Sequence, residues 1–462
     1  MTEKNIAAVV LAAGKGTRMK SGLPKVLHPL AGRPMITHLL DIVSRLGATH
    51  AVVVVGAGAD RVSAAVADMP GLNVTCVVQE PQLGTGHAVL AAREALAGFE
   101  GDVLVLYGDT PLVRIDTLEA LVDARSVESP APSIVVPTVV VLGSCPEDAA
   151  EYGRLVLDDE GALAAIREYK DASPEEREID FCNSGMMAVD GAHLFALLDQ
   201  VGNDNRNGEY YLTDIVEVAR AQGLRCEAVE GDPDEMLGVN SRAQLAEAEL
   251  IVQDRLREAA LDSGVTMTDP ATVYLAADTR FGQDVTIEPG VFFGPGVTIG
   301  DNVTIRAYSH LEGATVGDGA SVGPFARLRP EAEVGAGARI GNFVEIKKST
   351  LEPGAKVNHL TYIGDARVGA NANVGAGTIT CNYDGFLKYR TDIGAGAFIG
   401  SNTALVAPVT VGDGAIVGAG SVITGDVEAD ALAVTRAPQK GLTGWAARFR
   451  ARKAKEKSAK RG

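Results

Sequence analysis

The chain has 462 residues, which allows about three domains of ordinary size, and its 46% of hydrophobic residues can form a substantial core. Asp and Glu outnumber Lys and Arg by 60 to 42, so the net charge is −18. That charge argues against general nucleic-acid binding, because phosphates require a basic surface. No stretch approaches the ~20 apolar residues of a membrane-spanning helix, so no membrane span is predicted.

The N-terminal half of the chain alternates short runs of Val, Ile and Leu with helix-like stretches. The predicted strands are Ile6–Ala12, Ala51–Val55, Val74–Val78, Val103–Tyr107 and Ile134–Val141, and the predicted helices include Pro34–Leu46 and His87–Leu96. Because these strands lack polar alternation, we expect helices on both faces of an open α/β sheet, with ligands at the carboxyl ends of its strands. The short run Ile6–Ala13 is interpreted as a strand and not as a signal peptide.

A connecting helix is predicted after this half. Residues 242–261 are rich in Ala, Glu, Leu, Gln and Arg and contain no Gly or Pro. The sequence Asp262-Ser263-Gly264 is a typical helix end, so the helix is predicted over residues 242–262.

Beyond the connector, an aliphatic or phenylalanine side chain recurs every six positions. The runs are Phe281, Ile287, Phe293, Ile299, Ile305, Leu311; Val316, Val322, Leu328, Val334, Ile340, Ile346; Leu351, Val357, Ile363; Val368, Val374; and Ile393, Ile399, Leu405, Val411, Val417, Ile423. The 19-residue step from Val374 to Ile393 must contain an insertion, which is placed at Thr380–Asp392. A six-residue period is typical of a parallel β-helix built from hexapeptide repeats, whereas hairpins would show variable spacing and Asn-Gly turns.

The end of the chain is strongly basic. Trp445–Gly462 contains eight Lys or Arg and one Glu. Two interpretations are open, a solvated disordered end and a binding element, and the first is favoured.

A glycine-containing turn follows the first predicted strand. The run L-A-A-G-K-G-T-R-M occupies Leu11–Met19, and its small residues let the backbone approach a phosphate while Lys15 and Arg18 supply charge. It matches neither the P-loop nor the G-x-G-x-x-G pattern, so an ATPase or a dinucleotide site is not supported.

Downstream residues add to this pattern. Lys25 follows in L-P-K-V, a second glycine-rich turn spans Gln82–Gly86, and Asp109 lies just beyond the strand Val103–Tyr107. Mg²⁺ binds few protein oxygens together with substrate phosphates, so a single carboxylate at a strand end suits it. Asp109 can equally cap a turn or a helix, and both interpretations stay open.

In combination these motifs resemble those of a known enzyme family. The runs L-A-A-G-K-G-T-R-M, L-P-K-V, Q-L-G-T-G-H-A and Y-G-D resemble a sugar-1-phosphate nucleotidyltransferase. With G-N-F-V-E-I-K-K, N-H-L-T-Y-I-G-D and G-A-G-T-I-T-C-N-Y-D-G, the chain is similar to the bacterial bifunctional N-acetylglucosamine-1-phosphate uridyltransferases/glucosamine-1-phosphate N-acetyltransferases. The resemblance covers Ile6–Arg436. It implies a Rossmann-like uridyltransferase domain over 1–241, a linker helix over 242–262, and a left-handed β-helix acetyltransferase domain over 263–462, whose basic tail begins near residue 445.

The resemblance implies a first site for uridyl transfer. Its catalytic residues would be Lys25 and Arg18 on the phosphates, and Mg²⁺ would bind to Asp109 and Asn240. The implied UDP-N-acetylglucosamine contacts are Leu11, Ala12, Ala13, Gly14, Lys25, Gln79, Gly84, Thr85, Tyr107, Gly108, Asp109, Gly153, Glu168, Asn183 and Asn240. Of these, Gln79, Gly84 and Thr85 would read the uracil. The family usually has Asn-Thr-Gly where this chain has Asn183-Ser184-Gly185, which keeps the hydroxyl and loses a methyl contact.

The resemblance implies a second site for acetyl transfer, with His359 as the proton acceptor. A lone histidine is more often a surface or capped residue, but the neighbouring polar residues favour a catalytic role, and imidazole titrates near neutrality. The implied sugar-phosphate contacts are Arg329, Lys347, Tyr362, Asn373 and Lys388, and the implied acetyl-coenzyme A contacts are Ala376, Asn382, Tyr383, Ser401, Ala419 and Arg436.

Glucosamine-1-phosphate, acetyl-CoA and UTP are therefore the expected substrates, with acetylation first and then uridylation to a cell-wall precursor. The resemblance also implies a homotrimer. The five scattered cysteines contain no C-x-x-C pair, which favours a reducing cytoplasm. The alternatives are a nucleotidyltransferase whose β-helix only oligomerises, and a non-enzymatic scaffold. The first predicts no basic residues, histidine or insertion converging on the coils, and the second leaves Asp109, Lys25 and His359 unexplained together.

Overall fold

The computed structural model describes residues 5–126, 136–149 and 151–460. The chain forms two compact units. The first is built from residues up to Ala259 together with Leu275–Ala277, and the second from Ala260–Tyr274 and the residues from Asp278 onward.

The first unit is an α/β structure. Its strands are β1 (Ile6–Ala12), β2 (Pro29–Leu30), β3 (Arg33–Pro34), β4 (His50–Val55), β5 (Asn73–Val78), β6 (Asp102–Tyr107), β7 (Val139–Ser144), β8 (Arg154–Leu157), β9 (Leu163–Arg167), β10 (Cys182–Asp190) and β11 (Cys226–Glu230). Its helices are α1 (Met35–Arg45), α2 (Ala59–Val66), α3 (Thr85–Leu90), α4 (Ile115–Arg125), α5 (Pro174–Arg177), α6 (Gly191–Leu198), α7 (Ile215–Ala221) and α8 (Arg242–Asp262).

The central sheet has the strand order β11-β7-β10-β6-β1-β4-β5, with β8 paired to β10 and β9 paired to β8. Strands β6, β1, β4 and β5 run parallel, whereas β10 is antiparallel to both β6 and β7. The chain leaves β1 toward β4 on one side and later returns to β6 on the other. The direction of winding therefore reverses beside β1, where open α/β sheets bind their ligands.

Helices cover both faces of this sheet, as predicted. Alternate residues of β1 point into two separate cores: Val9 packs with residues of α3, α6 and α7, and Val10 packs with residues of α1, α2 and α4. Burial on both faces explains why the strands read as continuous apolar runs.

The predicted bounds agree best where burial is complete. Strand β1 spans the predicted residues, and β4, β5 and β6 each begin one residue earlier than predicted. The strand predicted at Ile134–Val141 is displaced, since β7 is Val139–Ser144 and the first two predicted residues lie outside the described ones. The helix predicted at His87–Leu96 is shorter, because α3 ends at Leu90 and tight turns follow it.

Helix α8 has the predicted bounds, Arg242–Asp262. Its Ala248 is fully buried and packs with Leu30, Met35 and Leu112 of the first unit. Most of the helix is therefore a packed part of that unit and not an isolated connector. Among the described residues, none of the helices combines the length and the apolar character needed to cross a membrane.

The second unit is a parallel β-helix with three sheets. The first sheet contains β12 (Thr266–Met267), β14 (Thr286–Ile287), β17 (Thr304–Ile305), β20 (Ser321–Val322), β23 (Arg339–Asn342), β26 (Lys356–His359), β29 (Asn373–Val374), β32 (Phe398–Ile399), β35 (Ile416–Val417) and β37 (Leu432–Ala433). The second contains β13 (Arg280–Phe281), β16 (Thr298–Ile299), β19 (Ala314–Val316), β22 (Ala332–Val334), β25 (Ser349–Leu351), β28 (Ala366–Val368), β31 (Thr391–Ile393) and β34 (Val409–Val411). The third contains β15 (Phe292–Phe293), β18 (His310–Leu311), β21 (Arg327–Leu328), β24 (Glu345–Lys347), β27 (Tyr362–Gly364), β30 (Ile379–Cys381), β33 (Ala404–Val406) and β36 (Val422–Ile423).

The six-residue period gives this unit its core. Every residue of the predicted series is buried except Phe281 in the first coil, which is half-buried. A second inward row, which the period alone did not reveal, lies two positions earlier and is formed largely by valine in the first coils and by alanine in many later ones, such as Ala338 before Ile340. Each coil thus fills its interior with two inward positions per face, as expected for the left-handed hexapeptide β-helix.

The insertion is shorter than predicted. Thr380 keeps the six-residue step after Val374 and is buried in β30, where its hydroxyl accepts a hydrogen bond of 2.8 Å from the Gly364 amide. The insertion therefore lies within residues 382–390, and the prediction of Thr380–Asp392 was wrong at both ends. A search for aliphatic residues missed Thr380 because its inward side chain is polar.

The basic tail is helical, which corrects the expectation of disorder. Helix α9 spans Trp445–Ala459 and is exposed along its described length. Alanine, arginine and lysine favour helix, and an ion pair of 2.6 Å joins Lys453 to Glu456 three residues later. The expectation of a solvated segment is confirmed.

Candidate active sites

The carboxyl ends of β1 and β6 lie side by side in the first unit. Leu11 is in register with Tyr107, and the Gly108 amide donates a hydrogen bond of 3.0 Å to the Leu11 carbonyl. This pairing brings the glycine-containing turn after β1 next to Asp109, which follows β6. The two sequence motifs therefore meet at one edge of the sheet.

A cavity of about 550 Å³ opens at this edge. Its walls are formed by Leu11, Ala12, Ala13, Gly14, Lys15, Lys25, Val26, Gln79, Gln82, Gly84, Thr85, Ala88, Tyr107, Asp109 and Glu209. Most of the residues expected around the nucleotide are in this set. Val26, Gln82, Ala88 and Glu209 were not expected there. Gln82 donates a hydrogen bond to the Ala13 carbonyl, and its place in Q-L-G-T-G was the signal that could have identified it.

Lys25 stands between the two residues that the resemblance assigns to Mg²⁺. Its ammonium contacts the Asp109 carboxylate and lies 2.8 Å from Asn240 Oδ1. The Val239 amide also donates a hydrogen bond of 2.8 Å to the Asp109 carbonyl, which fixes the segment carrying Asn240. Two oxygens thus converge on one cationic position.

This donor set fits Mg²⁺. The described residues contain no cluster of three or more His, Cys, Asp or Glu arranged for a metal. Two protein oxygens are sufficient for Mg²⁺, because it retains waters and takes its other ligands from substrate phosphates.

Three expected contacts, Arg18, Gly108 and Asn240, are not among the lining residues of this cavity. Arg18 is exposed on the short turn Thr17–Met19. Gly108 is present only through its backbone bond to Leu11. The structure therefore brings Lys25, and not Arg18, to the centre of the site.

A second cavity of about 410 Å³ shares Thr85, Tyr107 and Glu209 with the first. Its other lining residues are Glu151, Tyr152, Gly153, Glu168, Tyr169, Lys170, Asn183, Ser184, Gly185, Asn207, Tyr211 and Thr213. The three residues expected around the sugar, Gly153, Glu168 and Asn183, are all in this set.

A bulge in β10 shapes this second cavity. Asn183 Oδ1 accepts a hydrogen bond of 2.9 Å from the Gly185 amide. The Ser184 hydroxyl donates to the Leu142 carbonyl at 2.7 Å and accepts from the Met186 amide at 3.0 Å. The serine therefore performs the hydrogen bonding that a threonine hydroxyl would supply.

Burial raises the pKa of two groups in this cavity, Glu168 and Tyr107. Desolvation raises the pKa of the Glu168 carboxyl, although the Thr213 hydroxyl, 3.2 Å away, lowers it. Burial also raises the pKa of Tyr107 far above its usual value, so its hydroxyl remains a neutral hydrogen-bond donor. The site thus offers both an acceptor and a donor for sugar hydroxyls.

In the second unit, cationic side chains gather on the third sheet of the β-helix. Lys347 Nζ lies 3.0 Å from Asp365 Oδ2, and Arg329 Nη1 lies 2.9 Å from Glu345 Oε1. Burial lowers the pKa of Lys347, but the hydrogen bond to Asp365 and the other neighbouring groups together raise it above its ordinary value. Both cations are held in place by neighbouring carboxylates.

Asp365 connects this group to the insertion. Asn382 donates a hydrogen bond to the Asp365 carboxylate, and its amide nitrogen lies 3.5 Å from the Tyr362 hydroxyl. Lys388, also on the insertion, meets Lys347, and this contact lowers the pKa of Lys388. The sequence predicted these lysines, but it did not identify Asp365 or Glu345, although both lie inside the quoted motifs.

The other predicted residues lie on one corner of the β-helix. The amide of Gly377 donates to the His359 carbonyl at 3.2 Å. In the next coils, the same corner bond joins Asn402 to the Ala376 carbonyl at 2.7 Å and Gly420 to the Ser401 carbonyl at 2.8 Å. His359, Ala376 and Ser401 therefore form one column, and Ala419 precedes Gly420 at its end.

His359 is oriented by a residue that the sequence did not identify. Its Nδ1 lies 2.6 Å from Asn342 Oδ1, and the two residues are register partners in β23 and β26. Asn342 was visible in G-N-F-V-E-I-K-K, where it occupies the column position one coil before His359.

Of the remaining predicted contacts, Arg436 and Asn373 are close to this column and Tyr383 is on the insertion. Arg436 donates a hydrogen bond to the Ala419 carbonyl. Asn373 is in β29, three residues before Ala376. Tyr383 is exposed on the insertion, and its hydroxyl donates to the Gly385 carbonyl at 2.6 Å.

Comparisons with known proteins agree with both units. Residues 8–169 match the MobA-like NTP transferase domain. Residues 278–313, 313–348 and 390–425 match the bacterial transferase hexapeptide of six repeats. The insertion at 382–390 lies between the last two of these matches.

Full-length relatives are similar to the whole chain. The bifunctional protein GlmU of Paramagnetospirillum magneticum is 61% identical over 100% of both chains. GlmU of Rhodospirillum rubrum is 61% identical over 96% of this chain and 97% of its own. GlmU of Zymomonas mobilis is 51% identical over 98% of this chain and 99% of its own.

Fold and matches together define a two-domain transferase, in which a nucleotidyltransferase is joined to a hexapeptide-repeat acyltransferase. The chain belongs to the GlmU family of bifunctional N-acetylglucosamine-1-phosphate uridyltransferases/glucosamine-1-phosphate N-acetyltransferases. It transfers acetyl from acetyl-CoA to glucosamine-1-phosphate and then UMP from UTP to the product. The single-activity and scaffold alternatives are set aside.

Proposed function

We propose that uridyl transfer takes place in the cavity beside β1 and β6, within a domain of residues 1–241. The nucleotide would lie against the turn after β1, and the sugar would lie in the cavity lined by Glu168 and Asn183. Support comes from Thr85 and Tyr107, which line both cavities, so the two cavities lie next to each other.

The chemistry of this site is electrostatic. A sugar phosphate is already an anionic nucleophile, so it needs no general base, and the barrier lies in bringing two anions together. Mg²⁺ held by Asp109 and Asn240 would supply positive charge at the phosphates. Lys25 would move from these two side chains onto the phosphates, and Arg18 would reach them from its exposed turn.

Acetyl transfer would take place on the β-helix, within residues 263–462. His359 would accept the proton of the sugar ammonium through Nε2, because Nδ1 is engaged by Asn342. Arg329, Lys347 and Lys388 would hold the sugar phosphate. Their clustering fits an anion, since Lys388 of the insertion meets Lys347 of the third sheet and lies near the charge of Arg329.

The coenzyme would follow the corner column. Ala376, Ser401 and Ala419 have small side chains and occupy successive coils, so they leave a shallow track that begins at His359. Tyr362 and Asn373 would orient the sugar, and Asn382, Tyr383 and Arg436 would line the coenzyme.

The active assembly would be a homotrimer. Tyr308, Phe325, Phe343 and Leu360 stand on one corner and are 47–63% exposed, and the rings of Tyr308, Phe325 and Phe343 stack at successive distances of 5.3 Å. A continuous exposed apolar ladder is typical of a protein interface, and closed symmetry would cover it. The cytoplasm would be the compartment, as expected for a supplier of cell-wall precursors that uses UTP and acetyl-CoA.

One observation carries this assignment: the residues expected for each activity meet in a different compact unit. The test uses Lys25→Ala and His359→Ala in the full chain, with pyrophosphate and free thiol followed separately. Lys25→Ala is expected to lower uridyl transfer at least a hundredfold, on the order of a lost transition-state contact, with acetyl transfer intact. His359→Ala is expected to lower acetyl transfer about 10²- to 10⁴-fold and to leave uridyl transfer intact. Equal loss of both activities in either variant would refute the assignment.

A further inference from the structure

We propose that His87 is a positioning residue that fixes the amide of Gln79 and thereby makes the nucleotide cavity select uracil over cytosine. The inference rests on the proposed function and on the expectation from the sequence that Gln79 reads the uracil. It adds a residue that acts behind Gln79 and that the site residues above do not include.

Gln79 separates two cavities. It is only 6% exposed and lines the nucleotide cavity. It also lines a neighbouring cavity of about 390 Å³, to which His87, Arg93 and Asp199 contribute. His87 is not in the wall of the nucleotide cavity as described, so any effect on the base must pass through Gln79.

The hydrogen bonds of Gln79 define the direction of its amide. Gln79 Nε2 lies 2.9 Å from the Gly84 carbonyl oxygen, which can only accept, so the NH₂ end faces Gly84. The same nitrogen lies 3.3 Å from His87 Nδ1. Because the amide nitrogen only donates, Nδ1 must carry a lone pair, and the ring proton must be on Nε2.

The backbone on both sides of Gly84 is held by hydrogen bonds to Tyr210. The Tyr210 amide donates to the Leu83 carbonyl at 2.9 Å, and the Gly86 amide donates to the Tyr210 carbonyl at 2.8 Å. The acceptor on one side of the amide is thus fixed by the backbone. The acceptor on the other side is the imidazole of His87, on the first turn of α3.

With both N–H groups engaged, Gln79 can present only its carbonyl oxygen to a ligand. Uracil offers an N3–H donor, which this oxygen can accept. Cytosine offers an unprotonated N3, so two lone pairs would face each other. A site that leaves a buried polar group unpaired with the wrong ligand discriminates strongly. Without His87, one restraint is lost, and the amide can turn its N–H toward cytosine.

The test compares His87→Asn with His87→Leu in the full chain. Asn and Leu have nearly the same shape, but only Asn places an acceptor where Nδ1 was. The readout is the ratio of kcat/KM for UTP to that for CTP, measured by pyrophosphate release with N-acetylglucosamine-1-phosphate. We expect His87→Leu to lower this ratio about tenfold, in line with one lost hydrogen bond, and His87→Asn to keep most of it.

Two further proteins separate the possible failures. If wild type does not prefer UTP, or if Gln79→Leu leaves the preference unchanged, the assignment of Gln79 to the base fails and the inference fails with it. If wild type and Gln79→Leu behave as expected but His87→Leu keeps the wild-type ratio, the role of His87 alone is refuted. Equal loss of the ratio in His87→Asn and His87→Leu would also refute it. If His87→Leu does not fold, His87→Ala replaces it under the same criterion.

Discussion

His359 Nδ1 lies 2.6 Å from Asn342 Oδ1, between register partners on neighbouring coils. An amide oxygen only accepts, so this contact places the ring proton on Nδ1 and leaves a lone pair on Nε2. The free nitrogen is therefore the one that can take a proton from an amine. Asn342 thus defines the tautomer and the direction of the proposed base.

Replacing Asn342 should lower acetyl transfer through this orientation. We expect Asn342→Leu to reduce kcat for acetyl transfer about tenfold, because the imidazole loses its one restraining acceptor. Asn342→Asp, which keeps an acceptor at the same position, should retain more activity than Asn342→Leu. Thiol release measures the effect, and pyrophosphate release should be unchanged in both variants. Equal activity of the two variants would contradict the tautomer argument.

Removal of divalent cations should separate the two activities. Two oxygens, from Asp109 and Asn240, converge on the Lys25 ammonium, and this pair suits Mg²⁺ only together with substrate phosphates. We expect a chelator to abolish pyrophosphate release and to leave thiol release intact. Asp109→Asn should raise the Mg²⁺ concentration needed for half-maximal uridyl transfer. Loss of thiol release on chelation would show that the acetyl site also needs a metal.

How far the sequence predicts this fold depends on the regularity of the local pattern. The inward positions of the β-helix could be read from the chain, because each coil repeats the same burial at Ile340, Ile346 and their equivalents. Thr380 was not predicted as an inward residue because it is polar. Its hydroxyl forms hydrogen bonds inside the coil where other coils have an aliphatic side chain. Helix α9 was not predicted because a run of basic residues does not distinguish a solvated helix from a solvated coil.

The sites depend on contacts that no local pattern contains. Lys25 and Asn240 are 215 positions apart, and only the family resemblance placed them together. His359, Ala376 and Ser401 fall in one column because of the lengths of their coils. The insertion lies between Ala376 and Ser401, so the six-residue period alone does not predict this column. Asn342 and His87 were not predicted because each acts only through a contact with another residue. The contact of Asn342 is with His359 and that of His87 is with Gln79.

Asp214 should make the first unit sensitive to pH. Burial, with Glu217 and Glu168 nearby, raises its pKa from 3.8 to about 6. The folded state then binds more protons than the unfolded state between about pH 4 and 6, so stability falls as pH rises through this window and stays lower above it. Asp214→Asn should be more stable than wild type by about 1 kcal/mol at pH 8, a value reduced for partial solvent exposure, and nearly equal to it at pH 4.

Thermal unfolding followed by the helical circular dichroism signal of the full chain measures this difference. Asp204→Asn, at an exposed carboxylate, is the control and should show little change at either pH. A constant difference between Asp214→Asn and wild type at all pH values would show that Asp214 does not titrate with folding.

Gly185 should be the glycine of the sugar cavity that tolerates a methyl group least. Its φ is 86°, and a Cβ atom there would lie 2.6 Å from the ring of Tyr107. Gly161, with a φ of 82°, has open space at the same position. Substitution by alanine would therefore strain the backbone at both glycines, but only at Gly185 would the added methyl group clash with a neighbouring side chain.

Gly161→Ala should cost about 1 kcal/mol of stability, the strain of a left-handed backbone alone. Gly185→Ala should cost about 2 to 4 kcal/mol, since overpacking against Tyr107 is added.

The same substitution should weaken sugar binding. Because the Gly185 amide donates to Asn183 Oδ1, displacement of Gly185 should raise KM for N-acetylglucosamine-1-phosphate in Gly185→Ala, and not in Gly161→Ala. Thermal unfolding and the two KM values test this, and equal costs for the two glycines would show that the Tyr107 ring moves freely. Unchanged acetyl transfer in both variants would confirm that the damage is confined to the first unit.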